Sequence, residues 1–96
     1  MEMKHDEAAR QFVLLDDDGT RMGEIEYKKG GNNDLYATHT EVFAPFEGQG
    51  HAGRLLDALV NFAEQNNAKI VPICPYVIAA FKKYPEKYAA VINPKK

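Results

Sequence analysis

Short hydrophobic runs, one of them alternating with polar residues, occupy the first half of the chain, and hydrophobic residues recur at helical spacing in the second half. Runs rich in apolar, aromatic and β-branched residues predict three strands, over Phe12–Leu15, Arg21–Tyr27 and Leu35–Phe43. Asp18 and Gly19 separate the first two runs, and an Asp-Gly pair is typical of a tight hairpin because such turns need positive φ. The first half is therefore expected to form an antiparallel three-strand meander.

The second half opens with an apolar stripe that predicts an amphipathic helix. Its members fall at i, i+3, i+4, i+7, i+8 and i+11 and are Ala52, Leu55, Leu56, Leu59, Val60 and Ala63. The helix is expected to stop at Asn66 and Asn67, because asparagine tolerates the left-handed conformation that is common at helix ends.

A fourth strand and a second helix are predicted after that. The strand covers Lys69–Cys74, and Pro72 favours an edge position or a bulge because proline donates no ladder hydrogen bond. Pro75 suits the first turn of a helix from Tyr76 to about Tyr84, which Pro85 interrupts. A strand, a loop, a helix and a strand form a crossover unit, so the third and fourth strands should run parallel.

These elements predict an α/β (α+β) fold with a mixed sheet and helices packed on it. A chain of 96 residues supports one core, so a single domain is expected over residues 1–96. No apolar run reaches the roughly 18 residues of a membrane span, and the N-terminus lacks the order of a signal peptide. We therefore expect a cytoplasmic protein without a membrane partner. Cys74 is the lone cysteine, which excludes an intramolecular disulfide and makes a zinc site poor, so no metal is expected.

Charge is distributed unevenly along the chain. Residues 1–49 contain eleven Asp/Glu and five Lys/Arg, whereas residues 50–96 contain three and seven. The second half is the better partner for an anion, although a solvated charged surface would give the same asymmetry. A pI near 5.9 and the lack of a basic run with interleaved aromatics argue against nucleic acid as a partner.

The segment Phe46–Gly53, called the glycine loop below, links the third predicted strand to the first helix. Glycine lets a backbone approach a ligand closely, and the free amides of a helix N-terminus favour phosphate. A tight strand-to-helix turn would give the same pattern. No Gly-Lys-Ser/Thr follows, so the loop is not a Walker A motif, and it lacks the third glycine and the acidic residue of a dinucleotide fingerprint.

In its context this loop resembles a known signature. The stretch Val42–Leu56 is similar to the acetyl-CoA motif of the GNAT superfamily of N-acetyltransferases, Gln/Arg-x-x-Gly-x-Gly/Ala, between a strand with Val and Pro and an amphipathic helix. The resemblance is closer still to a subfamily of very short, single-domain GNAT proteins. The segments that carry this closer resemblance are His39–Val42, Ile73–Tyr76 and Pro85–Tyr88. The resemblance spans about residues 10 to 90. It implies a GNAT-like fold and acetyl-CoA (coenzyme A) as co-substrate.

The resemblance also implies roles for residues around the loop. In the family the loop amides hold the pyrophosphate of CoA, and pantetheine lies between the splayed third and fourth strands of this chain, beside Val42 and Phe43. The loop residues assigned to CoA in this way are Gly48, Gln49, Gly50, His51, Ala52 and Gly53. Glu47 stands where the motif has Gln or Arg, which puts a negative charge near the phosphates. On charge alone, Lys82 and Lys83 are expected at the 3′-phosphate.

Cys74, His39 and Glu41 are the candidates for catalysis. Acetylation of an amine needs a neutral amine, a route for its proton and a donor for the departing thiolate. Cys74 directly precedes a helix, where a thiol pKa can be lowered, and the resemblance implies a nucleophilic or relay role; a buried core residue is the alternative. His39 and Glu41 share a face of the third strand and could accept a proton, or be surface residues. Tyr76 could donate a proton or stack on adenine.

Together these features predict an acetyl-CoA-dependent N-acetyltransferase whose amine acceptor, a small molecule or a protein, the sequence does not identify. Larger relatives carry N-terminal helices beside the acceptor and often a tyrosine general acid in the last helix, where this chain has Lys82. Two alternatives stay open. One is a CoA-binding module that serves as a sensor or interaction domain, and the other is a structural domain with a fortuitous loop.

Overall fold

The computed structural model describes residues 1–93, and within them a five-stranded mixed sheet carries the helices. The last three residues of the predicted domain, 94–96, lie outside this range. The strands are β1 (Glu2–Asp6), β2 (Gln11–Leu15), β3 (Arg21–Lys29), β4 (Asp34–Val42) and β5 (Lys69–Pro72), and the α-helices are α1 (His51–Gln65), α2 (Pro75–Lys83) and α3 (Pro85–Tyr88). The strand order is β1-β2-β3-β4-β5, antiparallel up to β4 and parallel between β4 and β5. The predicted α/β fold is confirmed.

β1 is a strand that the sequence pattern did not predict, and it extends the meander to four strands. It pairs with β2 along its whole length. Its charged residues face solvent, whereas His5 faces the core, where its Nε2 lies 2.6 Å from Tyr27 Oη and its ring stacks 4.2 Å from the ring of Phe12. The sheet therefore has one strand more than predicted, before the first predicted strand.

α1 covers one face of the sheet with the predicted apolar stripe. The residues that it buries include Leu55, Leu56, Leu59, Val60 and Ala63. The sheet can approach this helix closely because Gly23 on β3 lacks a side chain. A Cβ at Gly23 would lie 3.2 Å from Leu55 Cδ1 and 2.7 Å from the Glu41 carbonyl oxygen. At its C-terminal end α1 is followed by Asn67, which has the expected left-handed conformation with φ 54°.

α2 and α3 lie beside α1. Lys87 Nζ on α3 lies 3.5 Å from a carboxylate oxygen of Asp57 on α1, and a Cβ at Gly53 of α1 would lie 3.8 Å from the hydroxyl of Tyr76 on α2. One hydrophobic core joins the three helices to the sheet. No helix within residues 1–93 is long and apolar enough to cross a membrane.

β5 ends at Pro72, two residues earlier than predicted. The amides of Ile73 and Cys74 both donate to the carbonyl oxygen of Ala37, at 3.1 and 2.8 Å, so the chain turns out of the ladder there. Cys74 is consequently the N-cap of α2 instead of the last strand residue, and Pro75 is the first residue of the helix. β5 is the last strand of the sheet, as Pro72 indicated, although Ile70 also forms an isolated bridge with residue 92.

Candidate functional site

A gap opens between β4 and β5 at the end where both following helices begin. β4 contains a bulge at Thr38, which has no opposite residue on β3. Parallel pairing with β5 ends just before it, at Ala37 opposite Pro72. A bulge bends its strand and interrupts the ladder, so the two strands diverge from this point. We call the space between them the β4–β5 gap.

The backbone of β4 beyond the bulge offers free groups to this gap. The amide of Phe43 donates to the carbonyl oxygen of Met22 at 2.9 Å, within the β3 side of the sheet. Successive amides of a strand point to opposite sides, so the amide of Val42 points toward the gap. Val42 and Phe43 were both predicted to lie beside pantetheine. The amide of Val42 is therefore directed to the gap, whereas the amide of Phe43 already donates to Met22.

The glycine loop places a helix N-terminus at the mouth of the gap. Gly48 and Gly50 have φ of 79° and 80°, a left-handed conformation that favours glycine. Gly50 is the N-cap of α1 and gives no side-chain capping bond, so the amides of the first turn have no side-chain partner from the cap. A Cβ at Gly48 would meet no atom within 4 Å, which shows that the space beside the loop is open. This arrangement suits an anion.

Arg54 lies against the glycine loop, which the sequence pattern did not predict. Its Nη1 donates to the carbonyl oxygen of Gln49 at 2.8 Å and lies 3.0 Å from Nδ1 of the buried His51. The helical pattern assigned Arg54 only to the polar face of α1. Its position in the first turn was the available signal, because long helical side chains point toward the N-terminus. The positive charge of Arg54 thus lies beside the loop. The loop itself has the negative Glu47 at the position where the motif has Gln or Arg.

Lys82 and Lys83 lie at the C-terminal end of α2, whereas the gap lies at its N-terminal end. Both belong to the last turn of α2, whereas Cys74 caps the first turn of the same nine-residue helix. Both side chains are exposed, and Lys83 Nζ lies 5.5 Å from the centroid of the Tyr84 ring. Their pairing with the 3′-phosphate of CoA stays a prediction.

Cys74 lies inside the gap and is only 6% exposed. Burial raises the pKa of its thiol, but hydrogen bonding to the Thr40 side chain and to the backbone of Val77, Tyr76 and Thr40 outweighs burial and leaves the pKa below its ordinary value. Thr40 Oγ1 is fully buried and, apart from its approach to this sulfur, has no hydrogen-bond partner among residues 1–93. Cys74 is therefore as buried as a core residue, but its thiol ionises more readily than that of an ordinary cysteine.

His39 and Glu41 share one face of β4, as predicted, and this face points away from α1. Nε2 of His39 lies 3.3 Å from Oε1 of Glu41, and about half of each side chain is exposed. Glu24 lies directly opposite Glu41 on β3, and one polar atom from each of the three residues lies within 4.8 Å of the others. Thr40, between His39 and Glu41, points to the other side of the strand. The gap thus has a thiol on its helix side and an imidazole–carboxylate pair on its open side.

Tyr76, in the first turn of α2, packs its phenol beside the first turn of α1. A Cβ at Gly53 would lie 3.8 Å from its hydroxyl, an ordinary van der Waals distance. Burial raises the pKa of Tyr76, and the neighbouring Tyr88 and Asp57 raise it further. The phenol therefore keeps its proton throughout the physiological pH range and can donate it.

The chain matches the sequence profile of the family described as GCN5-related N-acetyl-transferase over residues 11–91. The match covers most of the chain, and the chain belongs to the GCN5-related N-acetyltransferase (GNAT) family. No curated protein matches the sequence significantly.

Solved structures agree with this family. An NMR structure of a GCN5-like protein from Staphylococcus aureus, assigned as an N-acetyltransferase, is similar with a TM-score of 0.76 and 33% identity, over 96% of this chain and 87% of that one. A ribosomal-protein-alanine N-acetyltransferase from Brucella melitensis has a TM-score of 0.63 and 25% identity, over 85% of this chain and 64% of that one. A Clostridium acetobutylicum protein, predicted to be an acetyltransferase and solved with acetyl-CoA, shares the fold with a TM-score of 0.58 and 21% identity, over 77% of this chain and 55% of that one.

Proposed function

We propose that this protein transfers the acetyl group of acetyl-CoA to the amino group of an acceptor. The proposal rests on one observation. A helix N-terminus that suits phosphate and a thiol with a lowered pKa lie at the same gap in the sheet. The glycine loop begins α1 at the end of β4, and Cys74 begins α2 at the end of β5. The Clostridium neighbour was solved with acetyl-CoA, which is consistent with the same ligand here.

The cofactor is placed by backbone groups and one arginine. The amides that begin α1, next to Gly48 and Gly50, take the pyrophosphate, and the Arg54 guanidinium adds the positive charge that Glu47 cannot supply. Pantetheine extends along β4 and pairs with the free backbone edge at Val42. This position brings the thioester between Thr40 and Cys74 on one side and the His39–Glu41 pair on the other.

The chemistry then divides between the two sides of the gap. The acceptor amine attacks the thioester carbon from the open side, forms the C–N bond and breaks the C–S bond. The His39–Glu41 pair receives the proton that the amine loses, and the Tyr76 phenol protonates the departing CoA thiolate. In a second route the Cys74 thiolate attacks first and releases CoA, and the amine then takes the acetyl group from the sulfur of Cys74.

A CoA-binding module without efficient transfer is the second candidate. One observation favours it: within residues 1–50 the structure contains no α-helix, whereas the larger relatives that this chain resembles carry N-terminal helices beside the acceptor. The acceptor side is consequently open. Turnover with an amine distinguishes the two candidates, since both require CoA to bind.

A titration that follows both stability and turnover tests the proposal. Acetyl-CoA and CoA should each stabilise the protein, by about 2.7 kcal/mol at a hundred times the dissociation constant, whereas ATP at equal concentration should do so less. Acetyl-CoA plus a primary amine should release free CoA thiol faster than acetyl-CoA alone. Binding without amine-dependent release would favour the CoA-binding module, and no binding of either CoA species would refute both.

A further inference from the structure

The open side of the β4–β5 gap carries three carboxylates grouped around His39. Glu24 and Glu41 lie directly opposite each other on β3 and β4, and Glu26 lies directly opposite His39. Direct cross-strand partners share one face of a sheet, so these four side chains form a compact block beside the gap.

This block places two carboxylates directly opposite each other. Like charges directly opposite each other destabilise a sheet, and Glu24 and Glu41 stand in that relation. Arg21 pairs with Glu24 at 3.0 Å and offsets part of the repulsion, whereas the neighbour of the Glu41 carboxylate is the imidazole of His39, at 3.3 Å. Half of the Glu41 side chain is exposed, so neutral glutamine would fit the same place without repulsion.

Positively charged residues border the carboxylate block on two sides. Arg10 and Lys28 border Glu26 on the side of the block that faces the turn between β1 and β2. Arg21 borders Glu24 on the other side. A ligand that enters the gap from the open side therefore passes a small negative field with positive edges, which favours a compact cation over a long basic chain.

From this arrangement we infer that the acceptor is a compact amine with a second positive charge a few bonds from the amino group that is acetylated. The inference rests on the proposed function, because α1, α2 and the cofactor occupy the helix side and leave only the open side to the acceptor. The carboxylate block attracts the remote charge, and the neutral amine end faces the thioester. Glu24 and Glu26 act in this arrangement as positioning residues.

Three amines of equal length test the inference: 1,4-diaminobutane, butylamine and 4-aminobutanoate. They present the same primary amine and differ only in the far end, which is cationic, neutral or anionic. With the native protein we expect kcat/KM to fall in that order, by about two- to fivefold at each step, as for single screened surface charges. The preference for the diamine should appear mainly in KM and should shrink as salt is raised.

Two variants localise the effect. Glu24→Gln should reduce the ratio of diamine to butylamine activity by about two- to fivefold, mainly through the KM of the diamine. Glu64→Gln removes the same charge from an exposed position on α1 and should leave that ratio unchanged. Acetylation of the three amines with equal efficiency, or best with 4-aminobutanoate, would overturn the inference and leave the proposed function intact. Failure to acetylate any amine would overturn both.

Discussion

Cys74 and Thr40 meet inside the gap between β4 and β5, where the thiol interacts with both the hydroxyl and the backbone of Thr40. The Thr40 hydroxyl is fully buried and has no other partner within residues 1–93. A buried hydroxyl with so little compensation is costly unless something completes its hydrogen bonding. A substrate atom that enters the gap would meet both groups, so this pair is where chemistry and pH dependence should be most sensitive to mutation.

Thr40→Val should raise the pKa of the Cys74 thiol. The valine keeps the size of the side chain and removes a group that stabilises the thiolate, while burial continues to favour the neutral thiol. The ultraviolet absorbance of the thiolate, followed against pH in this single-cysteine protein, should therefore rise at higher pH in the variant than in the native protein. Thr20→Val, in the exposed hairpin between β2 and β3, serves as the control and should leave the curve in place.

Cys74→Ala should lower turnover per folded molecule and leave acetyl-CoA binding largely intact. We expect this result because the thiol lies at the thioester end of the cofactor, whereas the glycine loop holds the phosphates at the other end. Incubation of the native protein with acetyl-CoA alone separates the two routes, because only the covalent route adds one acetyl group to Cys74, detectable by intact mass and peptide mapping. Native turnover in a folded Cys74→Ala protein would show that the cysteine is only a core residue.

Gly48→Val should abolish the stabilisation of the protein by acetyl-CoA. Gly48 and Gly19 form a matched pair, since their φ values are 79° and 82° and a Cβ at either would meet no atom within 4 Å. Valine is strained in this conformation at both positions, so the two variants should lose similar stability. Only Gly48→Val places its side chain where phosphate must approach the backbone. An equal acetyl-CoA shift in both thermal melts would mean that the loop does not hold the ligand.

Arg54→Gln should weaken acetyl-CoA binding by about three- to tenfold, and the loss should be greatest at low salt. The guanidinium donates to the Gln49 carbonyl oxygen, so its removal takes away a cation that lies against the proposed phosphate site. Calorimetric titration at two salt concentrations measures the effect. Arg10→Gln, a change of the same charge in the turn between β1 and β2, provides the comparison. Equal affinities of the two variants would assign Arg54 a purely structural role in bracing the loop.

Much of the fold could be predicted because its signals are local. The helical stripe of α1, the Asp18-Gly19 turn and the proline at the start of α2 each specify their element through nearby residues alone. β1 escaped prediction because only Met3 and His5 face the core, and a strand of mostly charged residues is recognisable only through its pairing with β2. Its stability is a tertiary effect, as often happens for strands.

The candidate site was predictable only in part, for a related reason. The glycine loop, Cys74 and the His39–Glu41 pair stand out in the sequence by residue type. Thr40 and Arg54 do not, because their importance comes from where a bulge and a helical turn direct them. The bulge at Thr38 shifts the pairing of β4 by one residue, and no sequence pattern around it marks the shift.

Tyr76→Phe should lower kcat and leave the dissociation constant of acetyl-CoA nearly unchanged. Burial, followed by the influence of Tyr88 and Asp57, raises the pKa of this phenol, so it is protonated at neutral pH and can supply a proton to the departing thiolate. The sign of the pH dependence follows: native kcat should be retained at neutral pH and fall at alkaline pH as the phenol loses its proton, and the variant should lack this limb. Tyr84→Phe, at an exposed tyrosine just beyond the other end of α2, is the matched control and should preserve both kcat and the alkaline limb. If Tyr76→Phe turns over at the native rate with the native pH profile, the thiolate must be protonated by another group, and Cys74, with its lowered thiol pKa and its place at the same end of the gap, becomes the donor to examine.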